Sequence, residues 1–105
     1  MPRALTVLEA HVEPGREAAL LAAYQDAARE PVPPGLVRSA LLRDVNDSTL
    51  WRIETVWESH EALEAMRRGG TPRGLQIFLS AGAQPSLTIF DVAAELPTER
   101  RATGA

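Results

Sequence analysis

The sequence predicts an α+β domain in which an antiparallel sheet carries its helices on one face. Three observations support this class. Segments with apolar residues at period two are interleaved with segments of helical spacing, in the order strand, helix, strand, strand, helix, strand. The two adjacent strand segments are separated by the turn-forming run DVNDST, which indicates a hairpin. The stretch over residues 50–66 passes from strand to helix without a loop, through Glu58-Ser59.

Length and composition restrict the class of protein. A chain of 105 residues forms one domain with a single core. Its 45% hydrophobic and 24% charged residues and its net charge of −3 are typical of a soluble globular protein, and no basic stripe points to nucleic acid. The absence of cysteine excludes disulfides and thiolate metal sites. No apolar run reaches the roughly 18 residues of a membrane helix, so we expect a cytoplasmic protein that does not bind membranes.

The first half of the chain contains the first two strands and the first helix. Residues 4–12 alternate as a strand that ends at Pro14-Gly15. Helical spacing and a high alanine content predict a helix over residues 16–30, which Pro31 ends. A stiff Pro-Pro-Gly turn then leads to the second strand, residues 36–43.

The second half begins with the strand that carries both tryptophans of the chain. Ser59 is placed as the N-cap of the following helix, which runs to about residue 68 and ends at Gly69-Gly70. Thr71-Pro72 resembles the N-cap and first position of a further short helix that ends at Gly82. The last strand is predicted over residues 86–94.

The hairpin register decides which residues face the helices. One face of the third strand bears Trp51, Ile53, Thr55 and Trp57, and with Asn46-Asp47 at the tip of the loop it is joined by Leu36, Arg38, Ala40 and Leu42. The opposite face then bears Val37, Ser39, Leu41 and Arg43 with Leu50, Arg52, Glu54 and Val56. A slip of one residue would exchange the two sets from the second strand.

With helices on one side only, the other side of the sheet is left uncovered. The apolar residues expected there are Leu5, Val7, Val37, Leu41, Leu50, Val56 and Ile89. Such a patch is larger than a soluble monomer usually exposes. We therefore expect a homodimer in which a second copy covers this face.

Three runs of residues resemble the antibiotic biosynthesis monooxygenase superfamily. They are VEPGRE at residues 12–17, PGLV at residues 34–37, and Trp57-Glu58-Ser59 followed by Glu61-Ala62-Leu63. The resemblance covers roughly residues 4–94. It implies a ferredoxin-like domain over residues 1–96 that forms a dimeric α/β barrel, and oxygenation without a cofactor or a metal. The polar residues 97–105 are expected to form a flexible tail.

The chain departs from two groups of this family. Haem-degrading members carry a tryptophan late in the second helix, a histidine in the next segment and an asparagine on the first strand. This chain has Met66, no histidine over residues 67–82, and Leu8 at those places, so we do not expect haem degradation. Many quinol-oxidising members also have a histidine shortly after the second helix, and this chain has none there.

Oxygenation without a cofactor requires a dry pocket, a group that stabilises the substrate anion and a proton acceptor. We expect the pocket between the sheet and the helices, with four substrate-binding residues, Trp51, Trp57, Thr55 and Phe78. Arg38 and Tyr24 are candidates to meet a phenolate oxygen, and His11 is a candidate base. Each has a structural alternative, which is core packing for the aromatic residues, a solvent-directed side chain for Arg38 and a polar cluster in the dimer for His11.

The leading interpretation is a homodimeric monooxygenase that acts on an aromatic, quinol or polyketide-like small molecule. The alternative is a non-catalytic small-molecule-binding or assembly module of the same fold. A cyclase or isomerase on the same barrel is a third possibility. No phosphate-binding loop, dinucleotide fingerprint or metal-ligand motif in the sequence separates the three.

Overall fold

A computed structural model describes residues 2–97 and has the predicted element order, including the predicted short helix before the last strand. The elements are β1 (Ala4–His11), α1 (Glu17–Ala28), β2 (Leu36–Arg43), β3 (Leu50–Trp57), α2 (His60–Arg68), α3 (Arg73–Ser80) and β4 (Ser86–Asp91). The strands form one antiparallel sheet in the order β2-β3-β1-β4, with β1 and β3 central. The α+β class is thereby confirmed. The predicted tail lies outside the described residues except for Pro97.

The two central strands define the two sides of the sheet. Ala4 lies opposite Trp57, and Ala10 lies opposite Trp51. We call the face of the sheet that bears these residues the helix side, because the buried residues of all three helices pack into the same clusters as the tryptophans. The other face, which bears Leu50, Arg52, Glu54 and Val56, is the open side.

The register of β2 differs from the predicted one. Arg43 lies opposite Trp51 and Ser39 lies opposite Thr55, so the odd-numbered residues from 39 to 43 face the helix side. A bulge between Leu36 and Arg38 restores Leu36 to that side, while Arg38 lies opposite Val56 on the open side. The predicted positions of residues 38–43 were therefore wrong by one residue, which exchanges the two faces of the strand.

Helix α2 begins as the sequence predicted and lies close to the turn before β2. The Ser59 hydroxyl accepts a hydrogen bond from the Ala62 backbone N–H at 3.1 Å, and Glu61 lies in the first turn. Gly35 has φ +86°, and a Cβ there would overlap the Cβ of Ala62. Only glycine therefore allows this close approach. The predicted helix α3 is present, but its predicted N-cap was wrong by one residue, because Pro72 and not Thr71 occupies the N-cap position and no side chain caps the helix.

The core on the helix side is divided into two clusters. The larger contains α1, α3 and the hairpin end of the sheet, with Leu20, Trp51, Ile53 and Phe78 among its buried residues. The smaller lies under α2 and consists of Ala4, Trp57 and Leu63, with Leu36 and Met66 packed against it. Apolar burial in the two clusters stabilises the fold at about 25 cal/mol per Å².

The open side bears an apolar surface as predicted, but two of the residues predicted for it face the helix side and are replaced by neighbours in sequence. Leu41 faces the helix side opposite Ile53, and Ile89 faces it opposite Thr6. Leu42 and Phe90 take their places on the open side, where Phe90 is 48% exposed. Among residues 2–97 no helix is long and apolar enough to cross a bilayer.

Candidate functional site

Three hydroxyl groups meet on the helix side. Tyr24 Oη on α1 donates a hydrogen bond to Ser39 Oγ on β2 at 3.0 Å. Thr55 Oγ1 on β3 donates to the same oxygen at 3.2 Å. Ser39 therefore links α1 to the central strand β3. Because its oxygen accepts both hydrogen bonds, its own hydroxyl group can still donate one to another acceptor. We call these three residues the hydroxyl cluster.

A second polar pair continues this cluster across the sheet. Thr6 on β1 lies opposite Thr55, and its hydroxyl contacts the Thr55 carbonyl oxygen at 3.4 Å. Trp57 Nε1 donates to Thr6 Oγ1 at 3.2 Å. These groups cross the sheet between the larger and the smaller apolar cluster. The polar row is thus the place on the helix side where a ligand with oxygen atoms would find hydrogen-bond partners.

The four predicted substrate-binding residues all lie on the helix side, but they are closely packed. Trp51 is 5% exposed, Trp57 3%, Phe78 0% and Thr55 8%. Trp51 and Phe78 belong to the larger cluster and Trp57 to the smaller, so they do not form one continuous wall. Tyr24 is half-buried and Ser39 is exposed, so a ligand could reach this edge of the hydroxyl cluster, but it would have to separate packed side chains to contact the tryptophans or Phe78.

Arg38 does not join Tyr24. The bulge in β2 places it on the open side, where it is exposed opposite Val56. The arginine that β2 presents to the helix side is Arg43, whose Cζ lies 5.4 Å from the ring centroid of Trp51. Sequence reasoning missed both Ser39 and Arg43 because the predicted register assigned them to the opposite face.

His11 belongs to a polar cluster at the hairpin end of the open side. Its Nδ1 lies 3.0 Å from Thr49 Oγ1 and 3.8 Å from Asp47 Oδ2. The Thr49 hydroxyl donates to Asp47 Oδ1 at 2.7 Å. The hydrogen bonds from the Thr49 hydroxyl and the Thr49 backbone N–H lower the pKa of Asp47, while burial opposes them and the nearby His11 adds a weaker lowering effect. His11 is thus separated by the sheet from Tyr24, and its side chain is exposed.

A shallow depression of about 140 Å³ lies on the open side between β1, β3 and β4. Its lining residues are Val7, Glu9, Arg52, Ser86, Thr88 and Phe90. Glu9 accepts from Arg52 Nε at 3.1 Å, and Glu54 accepts from Arg52 Nη1 at 3.4 Å. The hydrogen bond with Glu9, followed by the charges of Glu9 and Glu54, raises the pKa of Arg52 against the effect of burial.

Within residues 2–97 no group of three His, Asp or Glu side chains is arranged to hold a metal ion. The hydroxyl cluster of the helix side can donate, accept and pass on protons. On the open side, Arg52, Glu9 and Glu54 pair with one another, whereas Arg38 is exposed.

The fold and these groups define a class of small α+β proteins with an antiparallel sheet and helices on one face. The family model described as antibiotic biosynthesis monooxygenase matches residues 4–71. The chain belongs to this family.

Two solved structures show how far the likeness extends. SnoaB, a cofactor-independent oxygenase from Streptomyces nogalater, is 21% identical with a TM-score of 0.67, over 93% of this chain and 100% of that one. Heme-degrading protein Rv3592 from Mycobacterium tuberculosis is 23% identical with a TM-score of 0.68, over 90% of this chain and 98% of that one. At this identity the likeness shows a common fold. No match was found among curated proteins.

Proposed function

We propose that this protein is a monooxygenase that binds a small aromatic, quinol or polyketide-like molecule on its helix side and oxidises it without a bound cofactor. The observation that carries the proposal is the hydroxyl cluster of Tyr24, Ser39 and Thr55, in a member of the antibiotic biosynthesis monooxygenase family. The first-named neighbour, a cofactor-independent oxygenase, supports it as a structural precedent.

The chemistry needs little from the protein beyond proton handling. An anthrone illustrates the balance, because its methylene carbon becomes a carbonyl with one atom of O₂, and the other oxygen leaves as water with the two methylene hydrogens. The substrate anion supplies the electrons, so no external reductant is needed. In this proposal Tyr24 donates a hydrogen bond to the substrate oxygen, and Ser39 relays the substrate's proton to water, giving up its own hydroxyl hydrogen as it takes the new one.

A binding or assembly module of the same fold is the second candidate. The close packing of the predicted substrate-binding residues favours the assembly form of this candidate, since Trp57 and Phe78 are almost fully buried and leave little room for a ligand between them. A module that binds a small molecule would hold it without oxygen consumption.

We also propose that the protein is a homodimer through its open side. Val56, Leu5 and Phe90 lie opposite one another on adjacent strands and form an apolar row across the sheet. Of the charged groups beside this row, Arg52 is paired with Glu9 and Glu54, whereas Arg38, opposite Val56 at the β2 end of the row, is exposed. A second copy can therefore cover the row if Arg38 stays at the solvent-exposed rim of the interface.

Oxygen uptake in the presence of anthrones and hydroquinones tests the oxygenase proposal. We expect the wild type to consume one O₂ per anthrone oxidised to its quinone, and Tyr24→Phe to lower kcat by about 100-fold or more. Ser39→Ala should act in the same direction. Ser80→Ala is the matched control, because the Ser80 hydroxyl bonds only to the Gln76 carbonyl of its own helix.

The outcomes separate the candidates. Uptake no faster than in buffer across the panel would reject the oxygenase. A thermal shift with anthrones in the absence of uptake would favour the binding module. Equal rates in the wild type and Tyr24→Phe would remove the hydroxyl cluster from the mechanism.

A further inference from the structure

The indole of Trp51 contains a buried donor that has no partner. Trp51 is only 5% exposed. No acceptor lies within hydrogen-bond distance of its Nε1 in the described part of the chain. The other tryptophan is different, because Trp57 Nε1 donates to Thr6 Oγ1. Buried N–H groups in native proteins almost always have a partner, so the exception needs an explanation.

The residue next to this indole on the edge strand is an unpaired cation. Arg43 lies directly opposite Trp51, and its guanidinium stands over the ring at 5.4 Å. Among residues 2–97 no carboxylate pairs with Arg43, and of the arginines without such a pair it is the one whose guanidinium lies over a tryptophan ring. Arg43 is exposed, so its side chain can move at small cost when a ligand approaches the ring.

We propose that Trp51 Nε1 and Arg43 together bind the carboxylate of a small organic acid. An indole N–H and a guanidinium can only donate hydrogen bonds, so the missing partner must be an acceptor. The uncompensated positive charge of Arg43 favours an anionic acceptor over a neutral one. A carboxylate has two oxygens, one for the guanidinium and one for the indole N–H.

This subsite lies apart from the hydroxyl cluster. Trp51 and Thr55 are four residues apart on β3, as are Arg43 and Ser39 on β2, which corresponds to about 13 Å along the strands. Between them lie Ile53 and Leu41 of the larger apolar cluster. The inference therefore does not depend on oxygenation, and the two can be tested separately.

The indole N–H signals of the ¹⁵N-labelled protein provide the test. The two tryptophans give two signals, and their assignment follows from the signal lost in Trp57→Phe. We expect benzoate to shift the Trp51 signal in a saturable way and benzamide, its neutral analogue, to leave it unchanged. The Trp57 signal, whose N–H is already bonded to Thr6, is the internal control.

Substitution of the arginine completes the test. Arg43→Met, at an exposed position, should fold normally and weaken benzoate binding by about tenfold or more, because it removes a charge-assisted hydrogen bond. Arg68→Met, which removes an exposed arginine of α2, should bind benzoate as the wild type does.

Two results would overturn the inference. One is a Trp51 signal that does not respond to benzoate, as expected if a water molecule alone satisfies the indole. The other is unchanged benzoate affinity in Arg43→Met. Failure of oxygen uptake with anthrones bears only on the proposed function, because benzoate binding is measured without turnover.

Discussion

Asp47 organises the hairpin end of the sheet through hydrogen bonds to one neighbour. Its Oδ1 accepts from the Thr49 backbone N–H at 3.0 Å and from the Thr49 hydroxyl at 2.7 Å. Both bonds favour the ionised carboxylate, so the pKa of Asp47 is lowered from its ordinary value of 3.8. The backbone N–H of Leu50 also donates to the Asp47 carbonyl, which joins this residue to the first position of β3.

The lowered pKa predicts how stability depends on pH. A carboxylate whose pKa is lower in the folded state stabilises the fold at pH values above its unfolded pKa, and this contribution disappears as the pH falls through the folded value. Asp47→Asn should therefore reduce the loss of stability between pH 6 and pH 3. Thr49→Val, which removes only the hydroxyl bond, should have a smaller effect. The midpoint of urea unfolding, determined at each pH, provides the measurement. If the midpoints of wild type and Asp47→Asn changed with pH in parallel, the prediction would be wrong.

Single residues differ in how far the sequence reveals their role. Ser59 was predictable as a cap, because a serine before a helical pattern has few alternatives. Tyr24 was predictable on the inner face of α1 from its spacing. Ser39 was not, because which way a strand residue points depends on a register that pairing and turn geometry decide.

In the β2–β3 hairpin the sequence predicts the bounds of the strands but not their register. The bounds of β2 were predicted correctly, but the bulge at its start is invisible in an alternating pattern. Asp44 Oδ1 accepts the backbone N–H groups of Asn46 and Asp47, so the loop has a specific turn structure that residue types alone did not reveal. The pairing of Arg43 with Trp51 follows from that structure.

The turn before β2 predicts a difference between two glycines. Gly35→Ala should lower the free energy of unfolding by about 2–4 kcal/mol, because a positive φ costs about 1 kcal/mol and overlap with the Cβ of Ala62 adds about 1–3 kcal/mol. Gly15→Ala is the matched control, because Gly15 has φ +94° with nothing within 4 Å of an added Cβ. Gly15→Ala should lower the free energy of unfolding only by the cost of the positive φ, about 1 kcal/mol. Urea denaturation measures both, and equal losses would show that α2 moves aside without cost.

At the scale of the whole molecule, the two sides of the sheet differ in what they carry. The helix side contains the core, the hydroxyl cluster and the Trp51–Arg43 pair. The open side has its apolar row, the paired charges of Arg52, Glu9 and Glu54, and the exposed Arg38. This division was predictable from the one-sided distribution of helices, whereas the contents of each side at β2 and β4 depended on register.

The apolar row predicts the effect of a charge on assembly. Leu5→Lys places a cation between Val56 and Phe90 and should convert the proposed dimer to a monomer, because a buried unpaired charge is costly. Sedimentation velocity at micromolar concentration measures this. Leu79→Lys, on exposed α3 surface, should remain dimeric. A wild type that sediments as a monomer would reject the dimer.

The division of the core also has a consequence for local unfolding. Helix α2 fully buries only Leu63, while α1 and α3 share the larger cluster, so α2 can open while the rest of the fold stays closed. Its amide hydrogens should exchange with deuterium faster than those of β1 and β3, which mass spectrometry of peptides would resolve. Equal protection would mean that α2 opens only when the whole domain unfolds. If α2 opens while the rest of the fold stays closed, Thr6 and Trp57 become exposed. The rate at which a ligand reaches them would then depend on how often α2 opens.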